Sequence, residues 1–402
     1  MSISPTMLAV PDGMADWNQP VLDGQTPLAA AHTPNLDRLA EMGRIFRLQN
    51  IPDECPVDSG IANMALLGYD PRSYYLGRGA LEALNLGIDL KEGEVAFRCN
   101  LVNVENETLV DYSSGNLDGD QAKKLFDFLE EELGSDSLSF YPGIRYRGIM
   151  VSSDFEEVRC FLPHDEMGRP LNGIWPAGPR GEELQSLMLE SRSLLEKHPI
   201  NIERKKAGKK PANMIWPWGG GAMRTIPSLK ENYGLEGSIV AGVDLINGLG
   251  LAMGMKREKV EGATGDFDTN MVGKGKRACK VLAEDRLVFL HVEAPDEAGH
   301  EGNALLKKEM IEKWDRDVAS RLLARYKEEP FRMAIGPDHY TPIQRRTHAR
   351  DPVPFLIIDG NGKDKLKYTE KEAEKAPLVR QGWQAFAAWY KNPSDNPFVD
   401  RT

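Results

Sequence analysis

Three aspartates and three histidines fall in short motifs that could hold divalent cations. Asp12 stands in PDG, Asp296 and His300 in DEAGH, Asp338 and His339 in PDH, and His348 in THARDPVPF. Asp296 and His300 are four positions apart, which puts both side chains on one face if that stretch is helical. Asp338 and His339 are adjacent, so they are expected to point apart and reach two different ions. Carboxylate and imidazole together suit manganese or zinc, and magnesium less because it prefers oxygen. Two ions a few ångströms apart form a clamp for phosphoryl transfer. Taken singly, each residue has a plainer use: an aspartate at a strand end is usually a cap or turn residue. A lone histidine is usually a satisfied core or surface group, and His32, His164, His198 and His291 are read that way. The occurrence of all four motifs in this order, with each aspartate just beyond an apolar run, is what points to metal.

Those runs are the elements that must position the ligands. MLAV, from Met7 to Val10, stops at Pro11-Asp12-Gly13; the run from Leu287 to Val292 breaks at Pro295; FRMAI ends at Gly336-Pro337; and VPFLII follows from Val353. They have the length and composition of buried parallel strands, and most precede segments with helical periodicity, which is an α/β pattern. In an open parallel sheet the carboxyl ends share one edge, where distant carboxylates can converge. Thr33 is a natural cap before Pro34 for a helix over TPNLDRLAEMGR. Between Ala304 and Tyr326, a single stripe collects Leu305, Leu306, Met310, Ile311, Trp314, Val318 and Leu322.

The middle of the chain reads differently. Strands are expected at VAFRCNLVNV, TLVDYS, GIRYRGIMVSS and EVRCFLP, with one helix at GDQAKKLFDFLEEEL. Strands joined without intervening helices suggest a smaller α+β insertion. A helix at GEELQSLMLESRSLLEKH and a solvated basic loop at NIERKKAGKKPAN then lead back to an apolar run, MIWPW, with the return to the main domain expected near residues 170 to 180. The expected division is a core of residues 1–93 and 172–402 with an inserted lid over 94–171.

Composition limits the class of function. A chain of 402 residues can form two or three domains, and 41% hydrophobic with 28% charged residues is ordinary for a globular protein. The formal net charge of −11 argues against a nucleic-acid surface, while a few local arginines could still hold a small anion. Cys55, Cys99, Cys160 and Cys279 form no CxxC pair and fit reduced thiols. No apolar run approaches the roughly 18 residues of a membrane span, and the start of the chain lacks a charged region followed by a long apolar one. A cytoplasmic location without membrane or nucleic-acid partners is expected.

The motifs also carry a resemblance. Their order resembles the alkaline-phosphatase superfamily. TPNLDRLAEMG, ALLGYDPRSYYLGRGALEALNLGIDL, VAFRCN, GATGDFDTN, DEAGH and DPVPF look like the archaeal-type, cofactor-independent phosphoglycerate mutases across nearly the whole chain. The resemblance implies an alkaline-phosphatase-like α/β core, with a mostly parallel sheet between helices, and a smaller α+β lid. It implies that Ser59 in PVDSGIANMALLGYDP is the nucleophile that becomes phosphoserine. One metal would be bound by Asp296, His300 and His348, and the other by Asp12, Ser59, Asp338 and His339. Two divalent ions are implied, manganese first, with zinc, magnesium or cobalt as alternatives. The substrate would be a small phosphorylated metabolite, 3-phosphoglycerate, whose phosphoryl group passes to Ser59 and back to the other hydroxyl. Arg78, Arg98, Arg145 and Arg147 are the candidates to bind its phosphate and carboxylate, because a planar guanidinium pairs with both in bidentate fashion.

The sequence departs from that pattern beside the nucleophile. Mutases of this type usually show Ser-Asp-Thr-Ala-His, whereas Ser59 is followed by Gly60-Ile61-Ala62-Asn63. IWPWGGG, VEAPDEAGH and PDHYTPIQRRTHARDPVPF look closer to a bacterial branch proposed to act as a homoserine kinase, although no GxxxxGK[ST] occurs. That kinase-like activity, a plain phosphomonoesterase and a catalytically silent metal-binding regulator are the alternatives. Self-association into a homo-oligomer, and the roles of Arg345 and Arg346, stay open at this stage.

Overall fold

The structure, a computed structural model, describes residues 4–360, 362–364, 366–391 and 398. In chain order its strands are β1 (Thr6–Pro11), β2 (Arg44–Leu48), β3 (Val95–Glu105), β4 (Thr108–Asp111), β5 (Leu138–Pro142), β6 (Arg147–Ser152) and β7 (Met214–Ala222), followed by β8 (Gly237–Val240), β9 (Lys256–Arg257), β10 (Leu287–Val292), β11 (Arg332–Ile335), β12 (Val353–Ile358) and β13 (Leu378–Val379). They divide between two compact units, one of residues 1–75 and 226–402, the other of residues 76–225.

The first unit holds an eight-stranded sheet in the order β13-β2-β12-β11-β1-β10-β8-β9. β8, β10, β1 and β11 run parallel, while β12 is antiparallel to both β11 and β2. Every residue of β1, β8, β10, β11 and β12 is buried. Covered on both faces, such strands show no alternation of polar and apolar residues, which explains the continuous hydrophobic runs of the sequence. The α/β reading holds, and the carboxyl ends of β1, β10 and β11 share one edge.

The second unit is built on β3, an eleven-residue strand that pairs antiparallel with β6 on one side and β7 on the other, while β4 pairs near its end and β5 extends β6. MIWPW therefore does not belong to the core, where the expected division puts it. It fills the open edge of β3, and this keeps the chain in the second unit until residue 225, beyond the expected limit of 171. The unit also begins earlier than 94. The helix Arg78–Asn85 lies against β3 and β7, and a Cβ at Gly79 would stand 2.0 Å from the Ala96 carbonyl oxygen, so only glycine permits the approach. EVRCFLP forms no strand; Arg159 makes an isolated bridge to Ala177. The expected basic loop is helical over its first part, Pro199–Lys206, where Pro199 opens the helix and basic side chains lie near its C-terminus.

Two helix readings also change. Thr33 occupies the cap position of helix Pro34–Ala40, but its side chain makes no capping bond. The carboxylate of Asp315 takes the N–H groups of Asn35 and Leu36 instead, at 3.1 and 2.7 Å. The Ala304–Tyr326 stripe is interrupted by a π-helical turn, Asp315–Ala319. Met310, Ile311, Trp314, Val318 and Leu322 are buried as expected, yet Leu305 is 57% exposed and Lys307 is fully buried.

Lys307 is a structural cation. Its Nζ donates to Asp16 Oδ2 at 2.7 Å, to the Thr341 carbonyl at 2.8 Å and to the Ala15 carbonyl at 3.2 Å. It thus ties the segment after β1 to the segment after β11. Removing one member of a fully buried ion pair leaves the other uncompensated. Lys307→Met should therefore lower stability to chemical denaturation by about 3–5 kcal/mol, and adding Asp16→Asn should restore part of the loss. Wild-type stability in Lys307→Met would show that the pair holds nothing together.

Candidate active site and metal centre

Each parallel strand delivers its ligands as the chain leaves the sheet. Asp12 follows β1, and its N–H donates to the Val292 carbonyl at the end of β10. Gly13 then turns the chain with φ +58°. After β10, the short helix Ala294–His300 carries Asp296 and His300 on one face, with His300 Nε2 3.2 Å from Asp296 Oδ2. After β11 come Asp338 and His339, and a further loop brings His348.

Two groups of ligand atoms result. Asp296, His300 and His348 form one, and Asp12, Asp338 and His339 the other; within each, the atoms lie within 4.8 Å of one another. Asp338 and His339 therefore do not serve two different groups. His339 Nε2 lies 3.3 Å from Asp338 Oδ2 and 3.6 Å from Asp12 Oδ1. Its ring meanwhile stacks on His348 at 3.9 Å, which places the two groups side by side.

The electrostatics fit cations in both groups. Burial, with Asp338 and Asp296 nearby, pushes the Asp12 carboxyl well above its usual range, and Asp12 Oδ1 is buried without a hydrogen-bond partner. A positive ion among these carboxylates would remove that penalty. In the other group, burial works against ionisation of Asp296, but His300 and His348 outweigh it and hold the carboxyl well below the usual range. Burial likewise works against charge on His300, and Asp296 overrides it to raise the imidazole to about 9. His300 and His348 point Nε2 at each other across 3.0 Å. Oxygen and imidazole donors aimed at common points are the donor set of manganese or zinc sites.

Ser59 opens the helix Ser59–Leu66, whose cap is Asp58. Its Oγ lies 3.1 Å from His339 Nε2 and so belongs beside the Asp12 group. The unusual residues after it have clear tasks. A Cβ at Gly60 would stand 2.7 Å from the Tyr75 ring, whose hydroxyl donates to Asp58 Oδ1 at 2.9 Å. Asn63 Nδ2 donates to Asp338 Oδ2 at 2.7 Å and to the Ser59 carbonyl at 2.8 Å. Asn50 holds the Asp338 carbonyl at 3.0 Å.

Several contributors carried no sequence signal. Thr341 donates to Asp296 Oδ1. His291, read as a satisfied core group, is only partly that. Its Nδ1 is 3.0 Å from Glu293 Oε1, while Nε2 has no hydrogen-bond partner and lies 3.5 Å from Asp12 Oδ2. Burial would raise the Glu293 carboxyl, but Lys274 and His291 hold it at about 2. Arg346 contributes its backbone: at φ +54° its carbonyl accepts from His300 Nδ1 at 3.0 Å. The side chains of Arg345 and Arg346 are exposed.

Three of the four arginines gather within the second unit. Arg98 Nη1 is 3.0 Å and Arg78 Nη1 3.9 Å from Glu82 Oε1, and both guanidinium groups lie about the Trp218 ring, at 5.0 and 5.2 Å from its centre. Burial lowers the Arg98 pKa, and Arg147 and Arg78 nearby act in the same direction. Arg145 does not join them on this reading; it is exposed, with Nη1 3.5 Å from Asn116 Oδ1.

Residues 40–201 match the family model described as 2,3-bisphosphoglycerate-independent phosphoglycerate mutase. A protein of that name from Methanosarcina barkeri is 43% identical over 374 residues, covering 91% of this chain and 94% of its own. A Pyrococcus horikoshii protein of solved structure superposes with a TM-score of 0.80 at 31% identity, covering 96% of each chain. The cofactor-independent phosphoglycerate mutase of Thermoplasma acidophilum does so with a TM-score of 0.60 at 28% identity, over 95% of this chain and 98% of its own. On these grounds the chain belongs to the 2,3-bisphosphoglycerate-independent phosphoglycerate mutase family.

Proposed function

We infer that this protein interconverts 3-phosphoglycerate and 2-phosphoglycerate through a phosphoserine at Ser59, with a pair of manganese ions as cofactors. The observation that carries the reading is the placement of Ser59 Oγ 3.1 Å from His339 Nε2, beside two groups of carboxylate and imidazole ligands. Asp296, His300 and His348 would hold one ion, and Asp12, Ser59, Asp338 and His339 the other. Bound there, divalent cations would acidify a hydroxyl and neutralise phosphoryl oxygens.

The chain's own residues account for the remaining demands. Ser59 starts a helix whose capping carboxylate, Asp58, takes the N–H groups of Gly60 and Ile61 and so fixes the turn that carries the hydroxyl. In the forward half-reaction Ser59 Oγ gives up its proton and attacks phosphorus. The bond from phosphorus to the substrate's 3-oxygen breaks, and that oxygen takes a proton. The second half-reaction reverses these steps with the 2-hydroxyl as attacking group, so no phosphoryl donor is consumed. Arg98 and Arg78 reach Glu82 at 3.0 and 3.9 Å, and Arg147 is near enough to act on the Arg98 charge. Planar guanidinium groups gathered in this way suit a phosphate or carboxylate of the substrate. A small phosphorylated metabolite as the partner, and the cytoplasm as the location, accord with this assignment.

The decisive assay is conversion of 3-phosphoglycerate with manganese, but without ATP or bisphosphoglycerate, followed by 31P NMR. Ser59→Ala should lower kcat by about a thousandfold or more, as loss of a covalent nucleophile does. Turnover that survives the change removes Ser59 from the mechanism. ATP-dependent phosphorylation of homoserine, or release of inorganic phosphate as the main product, would replace the mutase reading. In manganese titrations, His300→Ala and His348→Ala should each remove the same ion and leave the other bound. Loss of two different ions would show that the ligands are grouped wrongly.

A further inference from the structure

Thr341 lies between the two ligand groups and touches both. Its hydroxyl has one hydrogen, which it donates to Asp296 Oδ1, since an ionised carboxylate can only accept. The same oxygen is 3.2 Å from His339 Nδ1. With its hydrogen committed to Asp296, Oγ1 can only accept from His339, so Nδ1 must carry the N–H. Nε2 is then left with its lone pair, and Nε2 is the atom that faces Ser59, Asp338 and Asp12 at 3.1, 3.3 and 3.6 Å.

The surroundings hold this hydroxyl in place. Thr341 is fully buried, its carbonyl accepts from Lys307 at 2.8 Å and its N–H donates to the Ala15 carbonyl at 3.3 Å. Two glycines leave the room for it. A Cβ at Gly13 would stand 2.5 Å from Thr341 Oγ1, and one at Gly299 would stand 2.6 Å from the Thr341 carbonyl oxygen. Both glycines sit beside ligands, Gly13 after Asp12 and Gly299 before His300.

We propose that Thr341 is a positioning residue that couples the two ion sites, since one hydroxyl orients Asp296 in the first group and sets the tautomer of His339 in the second. Partners of this kind to metal-ligating residues typically change metal affinity by about 10–100-fold. The proposal rests on the two-ion reading and adds to it that both sites share one support.

The test uses the full-length protein with Thr341→Val, which keeps the shape and removes the hydroxyl, and Thr341→Ser, which keeps the hydroxyl. Manganese binding is followed by calorimetry and by electron paramagnetic resonance. Long-range 1H–15N NMR of the metal-free chain reports the His339 tautomer. Thr341→Val should weaken both sites by about 10–100-fold and lose the Nδ1–H tautomer of His339, while Thr341→Ser retains both properties. Wild-type affinities in Thr341→Val, weakening of the Asp296 site alone, or a serine variant as weak as valine would each overturn the coupling. Should Thr341→Val fail to fold, Thr341→Ala carries the same expectations. Failure of the wild type to bind manganese defeats the two-ion reading instead, and the tautomer measurement still decides the role of Thr341.

Discussion

Carboxylates brought together in a buried site repel one another, and the centre of this protein is arranged around that cost. Asp12, Asp338 and Asp296 converge because β1, β11 and β10 run parallel and release the chain on the same edge. Each carboxylate lacks the hydration that would make its charge tolerable, so compensation must come from protons, from buried cations or from bound ions. The Asp296 group uses His300 and His348. Asp12 faces His291 and His339 at 3.5 and 3.6 Å, yet burial and the carboxylates of Asp338 and Asp296 push its carboxyl well above the usual range. The demand for positive charge is thus built into the metal-free chain.

Fully buried lysines serve the surroundings of that centre. Lys274 donates to Glu293, which meets His291, which in turn faces Asp12. Lys307 neutralises Asp16 and fastens the segments that carry Asp12 and Thr341. Such buried pairs seldom contribute much net stability, because desolvation cancels most of the attraction. Their use here is geometric. Each lysine has several donors in fixed directions, and each links segments that arrive from different strands.

The outline of this arrangement was legible in the sequence, and its supports were not. PDG, DEAGH and PDH are motifs because ligands at strand ends sit close to turn residues, and the buried parallel strands before them are continuous apolar runs. Lys307 was invisible for the opposite reason: a lysine on a helix reads as solvent-exposed unless its partners, here Asp16 and two backbone carbonyls, are already in place. Leu305, a hydrophobic residue in the same first turn, was assigned to the buried stripe and is exposed. MIWPW could be recognised as a strand but not assigned to a sheet, since strand composition does not name the neighbouring strand. Its pairing with β3 moved the end of the second unit by about fifty residues from the expected limit.

Gly60 and Asn63 illustrate how far a missing motif residue can mislead. Read as losses, they remove a carboxylate and an imidazole from beside the nucleophile. In the fold, the space over Gly60 is filled by Tyr75, whose hydroxyl meets the capping carboxylate of Asp58, so a side chain there would displace the ring or the cap. Asn63 spans from the carbonyl of Ser59 to Asp338 Oδ2. An amide can orient a ligating carboxylate through its N–H without changing charge or competing as an imidazole donor for the ion. The substitutions therefore exchange a charged, potentially ligating pair for a neutral scaffold. Ser59, Asp338 and His339 keep their mutual placement, and that placement is what the proposed phosphoryl transfer requires.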